Sequence, residues 1–293
     1  MLMTTLNVDL DGTILRSDML HETFWSAFAE DWRAPIRAGA TVLKGKAALK
    51  RYLAEASEVD VSSLPYDEDV LAYVRSWRAN GGKSVLVTAT DQELAQRIAA
   101  HLGVFDAVHG SNGQTNLKAE KKATFLQKNY ADFVYIGDAT ADIPVWSAAT
   151  KAITVNASAN LRRAAEQAAP EAEHLHTASF GLKPYIKALR PHQWLKNCLI
   201  FLPIVVAHQI TQISVVQALL AFIAFSLIAS SVYVVNDLLD LRADRAHPRK
   251  RNRPFASGTV PLAHGPWMFG GPLLLGLIVA RALGTDFLLV MLG

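Results

Sequence analysis

The stretch from Ile213 to Val235 runs for twenty-three residues without a charge. At about 1.5 Å of rise per residue, a helix of that length covers a hydrocarbon core of about 30 Å, so the stretch predicts a transmembrane helix. The rest of the sequence divides around this constraint. Of the 26 acidic residues, only Asp237, Asp240, Asp244 and Asp286 follow Glu173, whereas the long apolar runs lie after Leu195. The overall figures of 51% hydrophobic residues, 19% charged residues and a net charge of +3 conceal that split. Halves this different predict two domains, residues 1–182 and residues 183–293.

The single cysteine, Cys198, excludes an internal disulfide framework. In its apolar surroundings it reads as an inert buried thiol. The opening MLMTTLNVDLDGT reaches acidic residues too early for a secretory signal, which predicts that the first half folds in the cytoplasm.

In that first half, Leu6 to Leu10 is a short apolar run interrupted by Asp9 and closed by Asp11, Gly12 and Thr13. Side chains alternate along a strand, so Asp9 and Asp11 are expected to project the same way, into the crevice where open α/β sheets bind ligands. A helix from Asp67 to Asn80, stopped by Gly81 and Gly82, precedes a second strand, Ser84 to Val87, which ends at Thr88. Lys118, Lys121 and Lys122 open a helix running to about Tyr130. A third strand, Phe133 to Ile136, ends in Gly137 and Asp138, with Asp142 one helical turn later. This alternation predicts an α/β doubly wound parallel sheet.

The chemistry suited to such a set is phosphoryl transfer. Asp9 is placed to attack phosphorus and form an aspartyl-phosphate, and Asp11 to protonate the leaving oxygen and then activate water. Thr88 and a lysine would neutralise the equatorial oxygens, and Asp138 and Asp142 would complete a magnesium site.

These residues resemble the haloacid dehalogenase (HAD) superfamily. The four motifs occur in order: DLDGT at Asp9 to Thr13, VLVTAT around Thr88, NLKAEKK around Lys122, and GDATAD at Gly137 to Asp142. The resemblance covers about 180 residues and implies a Mg2+-dependent phosphatase. Its catalytic residues would be Asp9, Asp11, Thr88 and Lys122, with Lys118 as the other choice of lysine. Its metal residues would be Asp9, Asp11, Asp138 and Asp142. Residues about 22–60 would form a small helical cap that selects the substrate. His174 and His176 lack the further ligands that a metal site needs, and Trp25, Phe28 and Trp32 are expected on the packed face of a cap helix.

The second half reads as an all-α transmembrane bundle fragment of three spans plus the start of a fourth. Besides Ile213 to Val235, these are Cys198 to Ala207, which contains Pro203, then Trp267 to Ala280, and Phe287 to Gly293. Lys183, Lys187, Arg190 and Lys196 precede the first span, and Arg242, Arg245, Arg249, Lys250, Arg251 and Arg253 follow the second. The intervening connection carries no Lys or Arg, so both basic segments and the first half are expected on the cytoplasmic side of the inner membrane.

At about 100° per residue, Asp237, Asp240 and Asp244 fall within roughly 60° of one helix face, with Asn236 beside them. Carboxylates crowded at a membrane boundary need partners, and magnesium carrying a diphosphate supplies them. NDLLDLRADR at Asn236 to Arg245, followed by HPRKRNRP at His247 to Pro254, resembles the first aspartate motif of the UbiA superfamily of intramembrane prenyltransferases. The resemblance implies that Asp237, Asp240 and Asp244 hold metal, and that Asn236, Arg245, Lys250 and Arg253 contact diphosphate. The upstream LRPHQWLKN, which contributes Lys196, is similar to the branch that transfers phosphoribose from phosphoribosyl diphosphate to a polyprenyl phosphate lipid.

A second aspartate motif is expected in that family beyond the third span, so this sequence reads as about a third of the bundle, a truncated form. The alternative expectation is a membrane-anchored phosphatase whose helices serve only as an anchor. Nucleic-acid binding is not expected, because the basic cluster is juxtamembrane and carries no interleaved aromatics.

Overall fold

In β1 (Thr5–Val8), Leu6 and Val8 alternate with Asn7, and all three are fully buried, which puts this strand inside a sheet covered on both faces. The computed structural model describes residues 4–112, 116–177, 181–208 and 210–292. They form two compact units, one comprising Met1–Ser179 with Arg245–Pro248, the other Phe180–Asp244 with Arg249–Gly293.

The first unit is built on a parallel six-stranded sheet in the order β3-β2-β1-β4-β5-β6. Its other strands are β2 (Lys83–Asp91), β3 (Ala107–Ser111), β4 (Phe133–Gly137), β5 (Lys151–Val155) and β6 (Glu171–Leu175). Strand order reverses beside β1, whose Val8 pairs with Leu86 on one side and Ile136 on the other. The carboxyl ends of β1, β2 and β4 therefore meet at the topological switch point, where such sheets open a crevice.

Period-two alternation sorts the core. Leu6, Val8, Leu86 and Ile136 pack on one face with Val70 and Val74 of α4 (Glu68–Ala79) and Ile98 of α5 (Gln92–Leu102). Val85, Val87, Phe133 and Tyr135 pack on the other with Leu126 of α6 (Glu120–Asn129) and Trp146 of α7 (Ile143–Trp146). Ala165 of α8 (Ala159–Ala168) closes that second face. The observed α4 matches the expected Asp67 to Asn80 helix, with Asp67 as N-cap accepting from Asp69 N and Val70 N.

Between β1 and α4 the chain makes three helices, α1 (Met19–Glu30), α2 (Ala34–Val42) and α3 (Lys46–Ala56), joined by a small core of Ala27, Ala34, Ala38 and Leu53. Trp25 is buried and lies 6.0 Å from Phe28, but Trp32 is 67% exposed. The expected packed face thus stops short of Trp32, because α1 ends at Glu30 and the helical spacing no longer applies beyond it.

The second unit begins with α9 (Lys183–Ala188), a 3-10 stretch from Pro191 to Phe201, and α10 (Leu202–Val206). Then follow α11 (Gln212–Leu239), α12 (Leu241–Ala246), α13 (Gly265–Leu283) and α14 (Thr285–Leu292), the end of α12 grouping with the first unit. Two helices, Gln212–Leu239 and Leu262–Leu283, are long and apolar enough to cross a membrane. The stretch expected as the first span is instead a 3-10 segment leading into a five-residue helix with Pro203 in its first turn.

So long a 3-10 run is unusual, and side-chain bonds to α11 hold it. Trp194 Nε1 donates to Ser230 Oγ and Asn197 Nδ2 to Ser226 Oγ, each at 2.9 Å. Cys198 on this segment is exposed rather than buried, because the segment lays Trp194 and Asn197, not Cys198, against α11. The last expected span start corresponds to the eight-residue α14, and Gly293 lies outside the described residues.

Candidate functional site

Three candidate residues of the first unit stand near the carboxyl end of a central strand. Asp9 follows β1, Thr88 lies near the end of β2, and Asp138 follows β4. Lys122 comes from the first turn of α6, with its side chain buried. Its Nζ lies 2.8 Å from Asp9 Oδ2 and 3.9 Å from Asp142 Oδ1, and donates to Tyr135 Oη at 2.7 Å. Tyr135 in turn donates to Asp142 Oδ1 at 2.9 Å. Burial opposes the lysine's charge, but Asp9 and Asp142 outweigh it and hold the ammonium above its ordinary pKa. Lys118, the other lysine considered, has an exposed side chain.

Asp9, Asp138 and Asp142 bring carboxylate oxygens within 4.8 Å of one another. Thr13 Oγ1 donates to Asp138 Oδ1 at 3.2 Å, and the backbone N–H groups of Asp138 and Ala139 donate to Asp142 Oδ2 at 3.2 and 3.1 Å. Gly12 closes the approach. At φ +73° it adopts the left-handed conformation, and a Cβ there would sit 2.1 Å from Asp138 Oδ2. Burial, then the charges of Asp9 and Asp142, push Asp138 well above the usual carboxylate range. Clustered oxygen donors that repel one another this strongly are the ligand chemistry of a hard divalent cation, and magnesium fits them.

Asp11 does not join this cluster. Its Oδ1 accepts from Met19 N at 2.8 Å and its Oδ2 from Thr90 Oγ1 at 3.1 Å. The alternation expected to aim Asp9 and Asp11 together ends with β1 at Val8, after which Gly12 turns the chain so that its N–H meets Ser17 O at 3.1 Å. Burial, with Asp18 and Asp9 close by, raises the Asp11 carboxyl to about 7. Thr88 is fully buried and its hydroxyl accepts from Thr90 N at 3.0 Å.

Sequence reasoning passed over Tyr135, Thr13 and Thr90. Tyr135 carried a usable signal: a polar-tipped aromatic two residues ahead of the Gly137-Asp138 pair, on a strand otherwise lined by apolar residues. His174, dismissed as a ligand, is held by Thr154 and Glu166 at 2.8 and 3.0 Å.

In the second unit Asp237 and Asp244 are buried, while Asn236, Asp240, Lys196 and Lys250 are exposed. Arg253 bridges the two buried carboxylates, at 3.1 Å to Asp237 Oδ1 and 2.6 Å to Asp244 Oδ2, and Arg190 pairs with Asp237. Lys250 Nζ lies 3.8 Å from Asp244 Oδ1, an oxygen that is buried without a hydrogen-bond donor among the described residues. Asp237, Asp240 and Asp244 are not gathered to the spacing seen for Asp9, Asp138 and Asp142. Arg245 groups with the first unit, where Glu22 takes its guanidinium at 2.7 and 2.8 Å.

Comparison with known proteins follows the same division. Residues 8–147 match the haloacid dehalogenase-like hydrolase family, and residues 198–293 match the UbiA prenyltransferase family. An uncharacterized protein of Sinorhizobium fredii, y4nM, is 39% identical over 285 residues, covering 96% of this chain and 55% of that protein. The nodulation protein NoeC of Azorhizobium caulinodans is 43% identical over 91 residues, covering 31% of this chain and 30% of its own length. A decaprenyl-phosphate phosphoribosyltransferase of Mycobacterium tuberculosis is 40% identical over 117 residues, covering 33% of this chain and 39% of its own. The chain thus spans about half the length of the first of these relatives and less of the others. Its first part is thus similar to haloacid dehalogenase-like hydrolases and its last part to UbiA prenyltransferases.

Proposed function

We propose that the first unit, about residues 1–182, is a Mg2+-dependent phosphomonoesterase working through an aspartyl-phosphate. The observation that carries this reading is the buried contact between Lys122 and Asp9 beside the clustered carboxylates of Asp138 and Asp142. Asp9, held by Lys122, attacks phosphorus while the bond to the leaving oxygen breaks and Asp11 delivers its proton there. Water then attacks the phosphorus of the aspartyl ester, Asp11 takes its proton, and inorganic phosphate leaves with Asp9 restored. A carboxyl raised to about 7 suits both halves of that exchange. Thr88 and Lys122 hold the equatorial oxygens. Magnesium held by Asp9, Asp138 and Asp142 would screen the approach of a carboxylate to an anionic phosphate.

For the second unit, the family match and the phosphoribosyltransferase relative support binding of a magnesium-diphosphate, with a polyprenyl phosphate as lipid partner. Asp237, Asp240 and Asp244 would face the metal, and Asn236, Lys196, Lys250 and Arg253 the phosphates. Asp244 Oδ1, which accepts no hydrogen bond, fits a metal ligand, and Arg253 and Arg190 hold the buried carboxylates that a cation would otherwise balance. In this reading the helices sit in the inner membrane and the hydrolase unit in the cytoplasm. A second reading, in which the helices only anchor the hydrolase, is favoured by those same arginine pairs if they are permanent.

The test uses the full chain in detergent with a phosphomonoester panel. Mg2+-dependent release of phosphate, abolished by Asp9→Asn, is expected, together with trapping of the native protein by beryllium fluoride. Absence of both from a folded preparation would remove the hydrolase reading. Retention of lipid-linked product in cells carrying Asp237→Asn with Asp240→Asn would favour the anchor.

A further inference from the structure

Lys50 lies on the cap helix α3, and its Nζ reaches the end of β2, donating to the Ala89 carbonyl oxygen at 2.6 Å. Ala89 sits between Thr88 and Thr90, and Thr90 is the residue that donates to Asp11. Lys122 therefore serves the nucleophile from the core, while Lys50 arrives from the cap on the side of the proton carrier. A narrow cleft opens there, its polar lining made by Thr23, Lys50, Thr90 and Asp91, and Asp91 faces Arg51 at 3.9 Å.

The charge on Lys50 is poorly matched. An ammonium has three N–H bonds, and one goes to a neutral carbonyl. Among the described residues no carboxylate lies within ion-pair distance of its Nζ. Asp11 is already taken by Met19 N and Thr90, and Asp18 by Leu20 N. Arg51, the next residue on α3, has Glu55 at 2.5 Å, so the cap supplies counterions where it needs them and omits one here. Burial holds Lys50 below its ordinary pKa, the charges of Asp11 and Asp18 oppose this, and Lys118 adds a second cation nearby. A half-buried cation left with a neutral acceptor is stabilised when an anion arrives.

Which anion follows from position. The transferred phosphate has Lys122 and Thr88 in the proposed reaction, and a metal held by Asp9, Asp138 and Asp142 would add its charge there. Asp11 is the group that must face the leaving oxygen, so a cap residue on its side faces the leaving group. We propose that Lys50 is the anion-binding residue of the leaving-group subsite, and that the substrates are phosphomonoesters whose alcohol portion carries a second anionic group, a carboxylate or another phosphate. The inference rests on the hydrolase reading for its chemistry, but its binding part can be measured separately.

The experiment uses the full chain in detergent with Mg2+ and three matched pairs: ethyl phosphate and phosphoglycolate, glycerol 3-phosphate and glycerol 1,3-bisphosphate, ribose 5-phosphate and ribose 1,5-bisphosphate. Binding is read by calorimetry on an Asp9→Asn background, where no turnover interferes. In at least one pair the doubly anionic member should bind tenfold or more tightly. Lys50→Met, which keeps the aliphatic stem, should erase that preference, and Lys50→Arg should retain most of it. With Asp9 restored, Lys50→Met should lower kcat/KM for the doubly anionic ester at least tenfold more than for its partner, mainly through KM.

The pair that responds tells a carboxylate from a phosphate. No preference in any pair, a preference that survives Lys50→Met, or an equal loss for both members would each overturn the proposal. If the preference and its loss appear in binding while the native chain hydrolyses no ester, the hydrolase reading fails and the subsite stands.

Discussion

Lys122 Nζ and Asp9 Oδ2 are 2.8 Å apart, and only 2% of the lysine side chain is open to solvent. Two groups distant in sequence are thus locked together at the end of the central strand, with Tyr135 as the third corner. Lys122→Met should lower kcat by a factor of about 10² to 10³, the usual scale for removing one preorganised charge at a reacting centre. Tyr135→Phe, which loses a hydrogen bond to Lys122 and one to Asp142, should cost about 1–3 kcal/mol of stability, read by denaturant unfolding of the first unit's fluorescence. A Tyr135→Phe protein as stable and active as the native one would refute this account of the triangle.

Gly12→Ala should be far more harmful than a glycine-to-alanine change in an ordinary loop. The new methyl would strike Asp138, and φ +73° disfavours any side chain. The expected outcome is loss of Mg2+-dependent activity with a higher magnesium requirement, against little change for Gly103→Ala, where φ is also positive but nothing lies within 4 Å. Equal effects of the two substitutions on activity would show that strain, not the carboxylate, is what matters.

His21 and Asp18 face each other at 3.5 Å at the start of the cap. The Asp18 side chain raises the imidazole above 6.5, burial opposes it, and Asp11 and Glu22 add to the rise. A base whose folded pKa is raised contributes stability that is complete below its unfolded value and lost as pH rises through the folded one. The native chain should therefore lose more stability than His21→Gln on going from mildly acidic to mildly alkaline buffer. NMR titration should place the His21 pKa lower in Asp18→Asn, and an unchanged value would rule the pair out as its cause.

Arg253 neutralises two buried aspartates in the second unit. Arg253→Ala leaves Asp237 to Arg190 and Asp244 to the distant Lys250 alone, and should cost about 3 kcal/mol, seen as a lower melting temperature in detergent. Adding Asp244→Asn to Arg253→Ala should recover part of that loss. A double variant no better than the single one would show that the pairing carries little energy.

Gly276 on α13 lets α11 come close. A Cβ there would meet Ile228 Cγ1 at 2.7 Å and the Ala224 carbonyl oxygen at 3.0 Å. Gly276→Val should destabilise the helix pair by about 1–3 kcal/mol, as overpacking does, and Gly276→Ala by less. Cysteine cross-linking across α11 and α13 should weaken in the valine variant.

Three of the six strands (β1, β2 and β4), the sheet class and the position of Asp9 and Asp138 at strand ends were legible because two-residue alternation and turn residues are local. Asp11 lies beyond that alternation: the strand stops at Val8, and a glycine turn, invisible to periodicity, decides which groups its carboxylate meets. Tyr135 and Lys50 escaped notice because their partners come from other elements, and nothing local marks a side chain that is anchored across the fold. In the second unit, hydrophobic length found α11 and α13, but the 3-10 segment depends on Trp194 and Asn197 bonding to serines of another helix. Arg190 was counted as a topology signal, yet it pairs with Asp237, which charge counting along the chain cannot reveal.

Asp11 accepts the N–H of Met19, and Met19 is the first residue of the first cap helix. The start of the cap and the carboxyl are therefore fastened by one bond. A substitution that shifts the first turn of α1 reaches Asp11 as well, removing the bond that lowers its pKa while changing the burial that raises it.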